Sequence, residues 1–137
     1  MAVSKAARAN RETAVDYLHA LEVNDTLTVA ALLHREIEQV EFPNRLNPNG
    51  SVRDKALLLD GMERGKTLMR SQEFTVLRSL AEGETVALEV RWSGTLAVAL
   101  GPTLPAGHTM RAFFSIWLEF RDGLIVRQRN YDCFEAW

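Results

Sequence analysis

Cysteine is almost absent from this chain. Cys133 is the only one in 137 residues, so no disulfide can close within the chain. That usage fits a reducing compartment, and a cytoplasmic protein is the expectation. No stretch reaches the roughly 18 consecutive apolar residues of a membrane-crossing helix. The opening segment, Met1-Ala2-Val3-Ser4-Lys5, lacks the apolar core of a secretory signal. Charge of one sign is also missing. The formal net charge is −2, and basic residues are scattered from Lys5 to Arg129 with no clustered face for a nucleic acid. The three histidines, His19, His34 and His108, have no paired spacing for a metal, so neither a metal nor a cofactor is expected. Repeats and low-complexity tracts are lacking as well.

What is present is an ordinary globular composition, 47% apolar and 25% charged. The length suits one domain over residues 1–137 with a core of its own. Residues 1–9 read as a flexible lead-in. Asn10 can cap a first helix whose Ala14, Tyr17, Leu18 and Leu21 fall at the spacing of one face. Asn24 and Asp25 end it, and a second helix runs from Leu27 to about His34. Ile37 to Phe42 is a strand candidate stopped by Pro43. A loop follows from Asn44 to Val52, and a third helix starts after Asp54. That helix carries Gly61 and Gly65 four residues apart, which reads as room for another element to approach.

From Phe74 onward the period is two. Strands are expected over Phe74–Leu80, Thr85–Val98, Thr109–Phe120 and Leu124–Asp132, with hairpin turns at Glu82-Gly83-Glu84 and Arg121-Asp122-Gly123. Helices first and hairpins after is the pattern of an α+β fold: three N-terminal helices on an antiparallel sheet.

That order of elements, the helix ending Tyr17-Leu18-His19-Ala20-Leu21-Glu22-Val23-Asn24-Asp25, the turn Pro105-Ala106-Gly107 and the closing Phe120-Arg121-Asp122-Gly123-Leu124-Ile125-Val126 resemble the nuclear-transport-factor-2-like superfamily. The resemblance is to its SnoaL-like and ketosteroid-isomerase-like branch. It implies a strongly curved sheet, a cone enclosing a pocket for a small apolar organic ligand, and a homodimer paired through the outer face of the sheet. It also implies roles for residues. Tyr17 resembles the tyrosine that stabilises an oxyanion in the isomerases. Their general base falls at Glu41 or at Phe42, which alternation puts on opposite faces; Phe42 is the expected inward residue. The second isomerase carboxyl falls at Phe113, with Arg111 and Ser115 on the same face, so both carboxyls would be lost.

On the last strand Gln128, Asn130 and Asp132 share one face. SnoaL-like cyclases place an acid–base aspartate on this strand; the nearest match is Asn130, an amide, with Asp132 two residues on. A buried carboxyl there would have a raised pKa suited to proton transfer. Trp92 is expected to wall the cavity, Cys133 to be a buried small residue, and the tail Phe134-Glu135-Ala136-Trp137 to dock on the cone or a partner. Two kinds of function stay open. One is a cofactor-independent cyclase, isomerase or dehydratase acting on a small carbonyl compound, with Tyr17 as hydrogen-bond donor, Asp132 or Glu41 as proton carrier and Asn130 or Gln128 as orienting groups. The other is a non-catalytic protein that binds a hydrophobic ligand or serves as a dimeric interaction module.

Overall fold

A computed structural model describes residues 3–137. Helix α1 spans Lys5–Glu22 and is capped by Ser4, whose hydroxyl accepts from the Ala7 amide at 3.1 Å. The expected cap, Asn10, lies inside this helix and is buried. The lead-in is therefore helical from Lys5 onward, and residues 1–2 lie outside the described part. Ala14, Tyr17 and Leu18 form the buried stripe. The chain turns at Asn24, which takes a positive φ of 57°. Asp25 then caps α2, Thr26–Leu32, by accepting from the amide and the hydroxyl of Thr28.

Strand β1 covers Leu33–Glu41 and β2 only Ser51–Arg53, overlapping the end of the stretch Asn44–Val52 expected to be all loop. Helix α3, Lys55–Leu68, follows after the Asp54 cap. Strands β3, Met69–Glu82, β4, Thr85–Leu96, β5, Thr109–Arg121, and β6, Leu124–Phe134, complete the chain. Asp122 and Gly123 both take positive φ in the β5–β6 turn, the conformation that matches the twist of a tight hairpin.

The six strands form one sheet in the order β2-β1-β6-β5-β4-β3. The expected antiparallel sheet is in fact mixed, because β1 runs parallel to β6. Helix α1 packs on β3 and β4, and α3 on β1. Third in helix order, α3 comes after two strands, so the helices are not all N-terminal to the sheet. In β4 and β5 burial alternates strictly. Val86, Leu88, Val90 and Trp92 lie inward on β4, and Ala112, Phe114, Ile116 and Leu118 inward on β5. An inward apolar parity of this kind fixes register, since a one-residue slip would expose the whole set. Among the described residues no helix is long and apolar enough to cross a membrane.

Candidate functional site

The parallel pairing of β1 with β6 sets Gln39 beside Gln128 and Glu41 beside Asn130. Two polar rows thus meet on the helix-covered face of an otherwise apolar sheet. With Asp132 they line a cavity of about 260 Å³. Leu18 and Leu21 of α1 roof it, and Phe74, Trp92, Phe114 and Phe134 wall it. Those rings brace one another. Trp92 stacks on Phe114 at 5.3 Å between centroids, and Phe134 meets both edge-on at 5.9 Å. Each such pair adds about 0.5–1.5 kcal/mol beyond the area it buries. The Trp92 Nε1–H, which would otherwise be an unsatisfied donor in this wall, donates to Gln72 Oε1 at 3.1 Å.

The polar side is a directed chain. The buried Tyr17 hydroxyl donates to Gln128 Oε1 at 2.6 Å. Gln128 Nε2 in turn donates to Asn130 Oδ1 at 2.8 Å, which leaves the Asn130 amide nitrogen to interact with Asp132. Burial holds the Tyr17 phenol well above its usual pKa, so it acts as a proton-bearing donor. Tyr17 does not line the cavity; its hydroxyl is engaged by Gln128.

Asp132 stands out. Its Oδ1 is buried and, among the described residues, is the one such side-chain atom with no hydrogen-bond partner from the protein. Desolvation, followed by repulsion from Glu41, raises its pKa from an ordinary carboxyl value to about 7, while the Asn130 side chain pulls weakly the other way. Glu41 is already engaged. Its Oε2 accepts from Asn44 Nδ2 at 2.9 Å and Asn47 Nδ2 at 3.0 Å, and its Oε1 lies 3.5 Å from Arg53. A hydrogen-bonded carboxylate on β1 thus stands beside a desolvated one on β6.

Several expected positions are corrected. Phe42 is not inward: it stacks on Tyr131 at 4.6 Å between centroids, on the face opposite the cavity, while Glu41 lines the cavity. The parallel register with β6 decides this, and Pro43 merely ends the strand. Phe113 is not a lining residue either. It is 48% exposed on the outer face, and its neighbour Phe114 is the wall. Ser115 is outward as well, accepting from Trp117 Nε1 at 3.1 Å. Cys133 is exposed, not buried. Trp92 does wall the cavity, and Gln128, Asn130 and Asp132 do share it.

Gln39, Gln72, Phe74 and Leu46 belong to the lining and were not singled out in the sequence. For Phe114 a signal was there: Met110, Ala112, Phe114, Ile116, Leu118 and Phe120 make an unbroken apolar parity, against the charged and polar Arg111, Ser115, Glu119 and Arg121. The tail closes one side. Arg45 lies 4.6 Å over the Trp137 ring and donates to its backbone oxygen at 2.9 Å, and Trp137 meets Phe134 edge-on. No three His, Cys, Asp or Glu side chains among the described residues are grouped so as to hold a metal.

Comparison with known proteins agrees with this architecture. IdmH of Streptomyces antibioticus, a candidate polyketide cyclase, superposes with a TM-score of 0.76 at 20% identity, over 90% of this chain and 91% of that one. A Mycobacterium tuberculosis epoxide hydrolase of the LEH-like type gives 0.72 at 21% identity, over 94% and 84%. An NTF2-like protein of Burkholderia xenovorans gives 0.68 at 17% identity, over 92% and 90%. At such identities the likeness is one of fold alone. No curated protein matches the sequence closely enough to count as a relative. The SnoaL-like domain family matches residues 14–128, most of the chain. The chain therefore belongs to the SnoaL-like domain family.

Proposed function

We infer that this domain binds a small, largely apolar carbonyl compound and moves a proton on it by acid–base chemistry, with Asp132 as the proton carrier. The observation that carries this reading is the buried, unpartnered Asp132 Oδ1 in an aromatic-walled cavity. A base with a pKa of about 7 is half-ionised near neutrality, where it can both take and return a proton. Its ionised form would remove a proton from the carbon next to the carbonyl, the C–H electron pair passing into an enolate. The Asn130 amide nitrogen, set by the Tyr17–Gln128 chain, would donate to the developing oxyanion. The proton held on Asp132 then returns, either to a carbon of the enolate (isomerisation) or to the alkoxide formed when that carbon attacks a second carbonyl (cyclisation).

Tyr17 thereby becomes a positioning residue: it orients Gln128 and, through it, Asn130. A cavity of about 260 Å³ lies just under the roughly 300 Å³ lower end of ligand pockets, which suits a one-ring or short-chain compound in this chamber. The cyclase named among the structural neighbours is compatible with such chemistry.

The test needs no knowledge of the natural substrate. Methyl propyl ketone incubated with the protein in heavy water should exchange its α-hydrogens for deuterium faster than in buffer, as followed by NMR. Asp132→Asn should return exchange to the buffer rate. Equal rates for the two proteins would remove Asp132 from the chemistry and leave ligand binding as the reading.

A further inference from the structure

Helix α3 carries Leu58, Leu59, Met62 and Leu68, yet none of its residues is fully buried. The helix packs on β1 through partly buried side chains only. A second cavity of about 270 Å³ lies beneath it, lined on the helix side by Leu58, Met62, Gly61 and Gly65, with Met69 opposite and the polar Asn24 and Arg53 at its edge. The two glycines are not a close-packing device: a Cβ at either would meet nothing within 4 Å. Glycine inside a helix costs about 1 kcal/mol relative to alanine, and here that cost is matched by open space, not by contact. This second cavity and the Asp132 chamber are lined in common by Leu21, Gln39 and Gln72. The two amides are partly buried and reach across: Gln72 Nε2 donates to the Leu21 carbonyl at 3.2 Å, and Gln39 Oε1 accepts from Arg53 at 3.3 Å.

We propose that the space under α3 is a second chamber of the same binding site, joined to the Asp132 chamber at the Leu21–Gln39–Gln72 neck, and that it holds the apolar tail of an extended carbonyl compound whose reacting end lies at Asp132. This rests on the assignment of the Asp132 chamber made above. Leu58, Met62 and Met69 supply the apolar surface, and the thioethers adapt to tails of different shape. Gly61 and Gly65 keep the chamber open, so they set the length of compound that the site accepts.

Each chamber carries its own NMR reporter: the Trp92 Nε1–H for the Asp132 side, and the Met62 methyl for the α3 side; the Met69 methyl lies beside the Trp92 ring at Gly94 and reports on both. Titration with methyl propyl ketone should move the Trp92 signal but not the Met62 methyl. Methyl heptyl ketone should move Trp92 and the Met62 methyl. A Gly61→Leu/Gly65→Leu variant directs two side chains into the second chamber from positions where a Cβ meets nothing within 4 Å, and leucine is the better helix former. It should bind the long ketone about tenfold or more weakly, since each methylene withdrawn from water is worth roughly fourfold in affinity. It should bind the short ketone unchanged. If the long ketone moves Trp92 but leaves the Met62 methyl in place, or if the variant binds both ketones as the parent does, the second chamber is overturned. If neither ketone moves Trp92, the assignment of the Asp132 chamber fails, and the extension falls with it.

Discussion

At the scale of single residues, Asp132 governs how stability depends on pH. Its folded pKa, about 7, lies above the value of an unfolded aspartate. The folded state therefore holds more protons than the unfolded one between these two values, and stability falls as pH rises through that window, then levels off above it. Asp132→Asn removes the dependence. Because the carboxyl is partly exposed, solvent screening trims the gain to about 1–2 kcal/mol at pH 8, vanishing near pH 4. Urea denaturation of both proteins at the two pH values measures it. Tyr17→Phe acts differently. It leaves the buried Gln128 Oε1 without its donor, which costs about 1–3 kcal/mol. It also frees Asn130 to turn away from Asp132, so the pH midpoint of ketone exchange should move up. A variant that loses stability with that midpoint unmoved would make Tyr17 a packing residue only.

At the scale of elements, the site depends on how β1 ends. Gly50 sits at φ 65°, and a Cβ there would come within 2.7 Å of the Glu41 carbonyl oxygen. Gly50→Ala should cost about 1–3 kcal/mol in strain. It should also loosen the Asn44 and Asn47 clamp on Glu41, seen as a lower thermal midpoint and a changed pH profile of exchange. The same strand shows what a sequence can tell about such a site. Alternation placed Gln128, Asn130 and Asp132 on one face of β6, because period two is a local property of the backbone. Which face of β1 turns inward depends on its parallel pairing with β6, a contact of long sequence separation that no local pattern encodes. Glu41 and Phe42 were therefore exchanged. Phe113 was misplaced because its position was taken from the resemblance, although the apolar parity through Phe114 was legible in β5 itself. The helix caps show the same division: Asp25 and Asp54 are readable from local chemistry, whereas Ser4 begins a helix whose first turns carry few large apolar residues to announce it.

At the scale of the whole molecule, the sheet has two faces with different tasks. One carries the cavity; the other exposes Phe113, Trp117 and Tyr131 to nearly half of their full extent, beside the charged groups Glu119, Arg127 and Arg129. The homodimer expected from the sequence resemblance would cover this face. Sedimentation should then give a dimer and Trp117→Glu a monomer with its ketone exchange retained; a monomeric parent protein would contradict the expectation. The central claim is that a desolvated carboxyl on β6, next to a clamped one on β1, makes the cavity an acid–base site. Carbon-detected NMR titration of the Asp132 side-chain carboxyl tests it most directly. The account predicts a midpoint near 7. A midpoint near the ordinary aspartate value of about 3.9 would contradict it.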